Sequence, residues 1–308
     1  MEELVKIIEE MGIPFAYDHF AEGESPAPPF ICYLLPDDEN FAADGKVYYR
    51  ISGVRIELYT DFKDPILEQK VTAVLDSHGI FYARNEVWIE DEKLYEVAFE
   101  FAMPVEGGTD MANKKNKVKY NLKNVHYALL NIDESGNVSY GTPVPIPGAV
   151  SIGLDANGEP SNFYADGYAY YTISNNMGYE GDLEIAMVPE SFRVDVLKEQ
   201  LDDNKVLVEN ANVETANFAL LFEFDGDIKK IRHVLYKCAA SRPSIESQTN
   251  EDEIEVQTET LSLKATPLAN GFVKAKTGDD TTDAVYQDWY KAVYMISTTT
   301  NTESGVES

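Results

Sequence analysis

Apolar residues along this chain recur mostly at every second position, and helical spacing is confined to a few short stretches. Residues 138–201 hold both patterns. Val150, Ile152 and Leu154 alternate with Ser151 and Gly153, which predicts a half-buried strand. Asp155, Asn157 and Gly158 then supply turn chemistry, because Asn and Gly tolerate positive φ. Residues 168–173 form an aromatic and β-branched strand, and residues 177–181 turn the chain again. Leu183, Ile185 and Met187 share one face of the next strand. Pro189 suits the first turn of a helix, and its apolar stripe is Phe192, Val196, Leu197 and Leu201.

Upstream, Leu4, Ile7, Ile8 and Met11 mark an amphipathic helix over residues 3–11, ended by Gly12 and Pro14. Short strands are expected at 15–17 and 30–35, separated by a Pro- and Gly-rich loop at 22–29 and followed by a polar loop at 37–45. A long strand follows whose phase shifts from Val47, Tyr49 and Ile51 to Val54, Ile56 and Leu58, which predicts a β-bulge near Ser52 and Gly53. Asp64 and Pro65 open a second helix with the stripe Leu67, Val71, Val74 and Leu75, and Gly79 closes it. Two strands, 81–89 and 94–103, complete an α-β-β-β-α-β-β unit, an α+β domain.

Residues 104–113 read as a linker, and four of the bases cluster just beyond Met111. A mainly-β domain over 114–296 is then expected. It opens with strands at 118–122 and 125–129, a turn at 134–137, and Pro143, Pro145 and Pro147 at a sheet edge. Phe218, Leu220, Phe222 and Phe224 line one face of a strand that turns at 225–227 into another, 228–240. Residues 241–253 are polar and predict an extended loop between paired strands. A long strand at 254–268, a turn at Asn270 and Gly271, a partner strand at 272–276, a short helix or loop at 283–289 and a last strand at 292–296 follow. Residues 297–308 hold almost no apolar side chain and read as a disordered tail.

The length of 308 residues suffices for two cores. No apolar run approaches the roughly 18 residues of a membrane helix, and the acidic start is unlike a secretory leader, so neither is expected. Cys32 and Cys238 sit in predicted strands and read as core thiols. The net charge is −29; 24 acids and 8 bases give −16 over residues 1–110, and 30 acids and 17 bases give −13 over the rest. Both halves being acidic disfavours sequence-specific nucleic-acid binding, which needs clustered Lys and Arg. No phosphate loop, HExxH helix, nucleophile elbow or CxxC pair occurs. His19, His78, His126 and His233 are scattered, so no catalytic residue, metal site or cofactor is expected. Residues 133–137 and 155–159 faintly resemble calcium loops but lack the closing glutamate, and hairpin turns account for them. Tyr168, Tyr170 and Tyr171 are read as sheet or interface packing, because no basic residues accompany them.

Three stretches carry a resemblance. They are Asn116-Lys-Val-Lys-Tyr-Asn-Leu-Lys-Asn-Val-His-Tyr-Ala128, the block from Gly167-Tyr-Ala-Tyr-Tyr171 to Gly181-Asp-Leu-Glu-Ile-Ala186, and Asp252-Glu-Ile-Glu-Val-Gln-Thr-Glu-Thr-Leu261. Through them residues 111–296 resemble the major tail proteins (tail-tube subunits) of non-contractile phages. Gly12-Ile-Pro-Phe-Ala-Tyr17, the run from His19 to Phe30 and Leu94-Tyr-Glu-Val97 make residues 1–103 similar to the small tail terminator, or tail completion, proteins. The resemblance implies a tail-tube-like β-sandwich with one flanking helix, in homo-hexameric rings that stack into a tube. The terminator-like domain would form a further ring. Implied partners are copies of the chain and other tail and head-completion proteins. DNA is only passing cargo, which an acidic wall repels. The implied setting is the virion, after synthesis in the host bacterial cytoplasm. Arg242, Pro243, Ile245, Glu251, Asp252 and Glu253 are the candidate contacts between rings. Terminator and tube subunits are normally separate chains, so Met111 at the junction points to a gene fusion, read-through or an engineered join. Such a join should obstruct stacking and give short oligomers. A β-rich carbohydrate- or cell-surface-binding module, with exposed tyrosines as its platform, is the alternative class.

Overall fold

The structure is a computed structural model and describes residues 2–104, 115–159, 161–165, 168–173, 175–249 and 255–296. The chain is mostly β and divides into two compact units, Met1–Asn113 and Lys114–Ser308.

In the first unit the order is α1 (Glu2–Met11), β1 (Phe15–Tyr17), β2 (Phe30–Leu34), β3 (Phe41–Ala43), β4 (Lys46–Tyr49), β5 (Ile51–Thr60), α2 (Pro65–Ser77), β6 (Ala83–Ile89) and β7 (Leu94–Pro104). Five strands form one sheet in the order β1-β2-β5-β7-β6. Both helices pack on the face that carries Ile31, Val54, Ile56, Leu58, Val97 and Phe99. Leu4, Ile8, Met11, Val71 and Leu75 meet them from the helices and are buried, each such side chain stabilising by about 1.5–3 kcal/mol. Asp64 caps α2, its Oδ1 accepting from the Ile66 and Leu67 N–H groups at 3.2 and 3.0 Å.

The phase shift expected as a bulge at Ser52 and Gly53 is instead a strand break at Arg50. β4 pairs with β3 in a hairpin of its own, while β5 enters the main sheet with unbroken register against β7 from Ile51 to Thr60. Two strands serving different sheets need no common phase.

The second unit holds β8 (Lys119–Ile132), β9 (Val138–Tyr140), β10 (Val144–Pro145), β11 (Ala149–Asn157), β12 (Ser161–Ala165), β13 (Tyr168–Ile173), β14 (Gly178–Ile185), α3 (Glu190–Asp195), β15 (Gln200–Leu201), β16 (Leu207–Val208), β17 (Phe218–Gly226), β18 (Ile231–Ala240), β19 (Glu259–Ala265), β20 (Lys274–Lys276) and α4 (Asp283–Asp288). The main sheet runs β10-β8-β17-β18-β19-β14-β11, with β9 on β8 and β20 on β18. It curls until β11 comes back near β8. One face buries Tyr127, Leu183, Phe218, Leu220 and Leu261 against Phe192, Val196 and Leu197 of the α3 segment. On the other, Ala128, Leu221, Val234 and Tyr236 are covered by Trp289 and the chain that follows α4.

Several expectations are corrected here. The strands at 118–122 and 125–129 are one strand, β8, because Asn121 and Asn124 take left-handed φ of 55° and 51° where its register with β17 shifts. The 177–181 turn is largely the start of β14: Gly178 has φ 103°, and a Cβ there would lie 1.8 Å from the Ala265 carbonyl oxygen. Leu201 is not on the helical stripe, since the helix ends at Asp195 and Leu201 lies in β15. Met187 is exposed, and Val188 takes the buried position. The 254–268 strand is regular only over Glu259–Ala265. Residues 274–276 pair with β18 rather than with it, because β18 divides its length: His233–Leu235 meet β20, and Cys238–Ala240 meet β19. Residues 292–296 form no strand; Val293 and Met295 hold that segment to the sheet by packing.

Candidate functional site

The predicted contact loop leaves β18 at Ala240 and leads toward β19, and these two strands pair. Arg242 Nε sits 2.7 Å from Glu209 Oε1, Pro243 is half-buried, and Ile245 is fully exposed. Glu251, Asp252 and Glu253 lie outside the described residues. The Arg242–Glu209 ion pair is exposed and so a weak tie, and at the root of the loop the Ser241 N–H donates to the Ser262 carbonyl at 2.9 Å.

A second surface comes from strand alternation. The face of β14 opposite the core presents Glu180, Asp182 and Glu184. Neutral donors hold these carboxylates. Asn157 Nδ2 reaches Glu180 at 2.9 Å, Ser262 Oγ reaches Asp182 at 2.7 Å, and Ser151 Oγ and Thr258 Oγ1 reach Glu184 at 2.9 and 2.8 Å. The Thr258 and Ser151 hydroxyls hold the Glu184 carboxyl below the usual carboxylate range. The donors to Glu184 are neutral and do not cancel its charge, whereas Glu180 has Lys264 directly opposite it in the ladder with β19.

Sequence reasoning missed a buried polar cluster. Glu223 in β17 is wholly buried, where Lys230 Nζ, Arg232 Nε and Tyr290 Oη approach its oxygens at 3.1, 3.0 and 3.2 Å, and Asn124 Nδ2 at 2.6 Å. The Arg232 guanidinium lies 3.8 Å from the centroid of the Tyr286 ring and donates to the Tyr286 carbonyl. Burial pushes the Tyr290 hydroxyl well above its ordinary value, with the Glu223 charge adding to it. The available signal was an acid between Phe222 and Phe224 in an otherwise apolar run. The cluster ties the α4 segment to the sheet.

The histidines stay apart. His19 bonds Asp18, His78 bonds Glu10, His126 packs on Tyr290, and His233 stacks on Phe222. Burial lowers the His233 pKa from 6.5 to about 4, with Lys276, Lys119 and Lys274 adding to the effect. Burial pushes the Cys32 and Cys238 thiols up to about 11 and about 12. Asp133 accepts from the Ser135 and Asn137 N–H groups at 2.9 and 2.8 Å, closing its turn on itself. Among the described residues no three metal-ligating side chains come together, and no helix is long and apolar enough to cross a membrane. No known protein family, curated protein or solved structure matches this chain.

Proposed function

We propose that this chain is a non-enzymatic structural component of a non-contractile phage tail. It assembles into homo-hexameric rings, and the second unit builds the wall of a tube that conducts DNA. The first unit forms the terminator-like ring, meeting other tail and head-completion proteins in the virion. The curled sheet with the α3 segment over one face is read as the tail-tube-like sandwich with its flanking helix.

The observation that carries the reading is the acidic strip of β14, whose carboxylates are held by hydroxyl and amide groups. Such a surface repels a polyanion and lets it slide past without adhering. Two of the resembling stretches support it as well, because Gly181–Ala186 and Asp252–Leu261 contribute to β14 and β19, which lie side by side.

Native mass spectrometry of the full chain, with negative-stain electron microscopy, tests this. Hexamers or short stacks of rings are expected. A monomer, or a dimer that grows no further, refutes the ring. Extended tubes refute the view that the first unit obstructs stacking.

A further inference from the structure

We propose that residues 278–296, which include α4, form a hinged strap that opens as one unit while the main sheet of the second unit stays folded. Among the described residues no backbone-to-backbone hydrogen bond joins this segment to a strand. Outside the helix its backbone bonds are local: Thr281 donates to Gly278, Tyr286 to Thr282, Trp289 to Tyr286, and Lys291 and Ala292 to Asp288. The ties to the sheet run through side chains. Arg232 donates to the Tyr286 carbonyl, and Lys229 Nζ to the Thr281 carbonyl at 3.2 Å. From the strap, Tyr290 Oη donates to Glu223 at 3.2 Å, Tyr286 Oη to the Lys230 carbonyl at 3.3 Å, and Trp289 Nε1 to the His233 carbonyl at 3.4 Å. A strand leaves a sheet only by breaking its ladder, whereas this segment leaves by releasing side chains, so it belongs to the low end of the chain's opening free energies.

Packing points the same way. α4 buries no side chain, and Thr282 at its N-cap makes no side-chain bond. Trp289 is the one buried residue between Gly278 and Ile296. Beneath the strap lie Ala128, Leu221, Val234 and Tyr236, each at most 3% exposed, so opening bares part of the middle of β8-β17-β18. The hinge is the turn at 278–281, closed by Gly278 N–H on Thr281 Oγ1 at 2.8 Å. Just before it Thr277 is fixed to the sheet, its N–H donating to the Arg232 carbonyl and its Oγ1 accepting from the Arg232 N–H. Tyr290 acts as the latch. Glu223 already has Lys230, Arg232 and Asn124 as donors, so the Tyr290 hydroxyl fastens the strap without being needed to satisfy the carboxylate. All of this takes place within one copy and does not depend on the tail reading.

Native-state hydrogen exchange of the full chain, resolved to single protons, tests it. The amides of Tyr286, Trp289 and Ala292 and the Trp289 indole N–H should share one urea dependence, weaker than that of the Leu221 and Val234 amides in the sheet. Two variants separate the openings. Ile185→Val trims the core face that the strap does not touch, so it should speed the sheet amides about fivefold and leave the four strap protons unchanged. Tyr290→Phe removes the latch and should speed the strap protons about tenfold. The sheet amides should follow by the same factor, because both openings start from the latched chain. Strap protons that track the sheet amides in Ile185→Val, that each show a separate urea dependence, or that ignore Tyr290→Phe overturn the proposal.

Discussion

Arg232→Met is the most informative perturbation of the second unit. Glu223 is wholly buried and Arg232 is 15% exposed. The substitution keeps the volume of the side chain's stem but leaves the carboxylate with Lys230, Asn124 and Tyr290 only, and Lys230 is 44% exposed. Removing one partner of a buried pair costs about 3–5 kcal/mol, since the remaining charge stays desolvated. The surviving donors argue for the lower end, about 3 kcal/mol. For a unit of this size that is a fall in Tm of roughly 6–12 °C. The same change frees the Tyr286 ring and carbonyl, which loosens the α4 segment and exposes Trp289. The chain has two tryptophans, Trp88 in the first unit and Trp289 in the second, so in a Trp88→Phe background urea unfolding followed by fluorescence reports on the second unit alone. Adding Glu223→Leu should recover part of the loss, giving a coupling of at least about 1 kcal/mol. A single-variant loss below about 1 kcal/mol, or additive effects, refutes the view that this cluster fastens the C-terminal segment.

Two further outcomes follow from local geometry. Gly178→Ala places a Cβ 1.8 Å from a backbone oxygen of Thr266's neighbour Ala265 at φ 103°, so β14 must part from β19. Thermal unfolding of the second unit should fall by more than the roughly 1 kcal/mol of an ordinary substitution, and an unchanged midpoint counts against this register. His233 is a base whose pKa falls on folding, so the stability it contributes is complete above pH 6.5 and drains as pH drops toward about 4, where the folded chain takes up the proton. His233→Phe should flatten the urea midpoint across that window, and an unaltered slope refutes the assignment.

Much of the fold was legible because it rests on local patterning. The helix around Leu4, Ile7, Ile8 and Met11, the cap at Asp64 with Pro65, and the alternation through Phe218 to Phe224 each follow from side-chain direction within one element. The misreadings share a different cause. The phase shift at Arg50 looked like a bulge because a sequence does not say that consecutive strands enter separate sheets. Gly178 looked like a turn because nothing local shows that the Ala265 carbonyl crowds its α-carbon. Of the candidate contact residues, the pattern located Arg242, Pro243 and Ile245 in a loop between paired strands, but not the pairing of Arg242 with Glu209.

By itself the sequence determined which stretches alternate, where helices begin, and that negative charge spreads over both halves of the chain. Only the tertiary structure decided that Glu223 is buried among donors from three separate segments, that β14 turns three carboxylates to one face, and that β6 is left at an edge. Periodicity is a property of neighbours along the chain, whereas burial and pairing depend on which distant strands share a ladder.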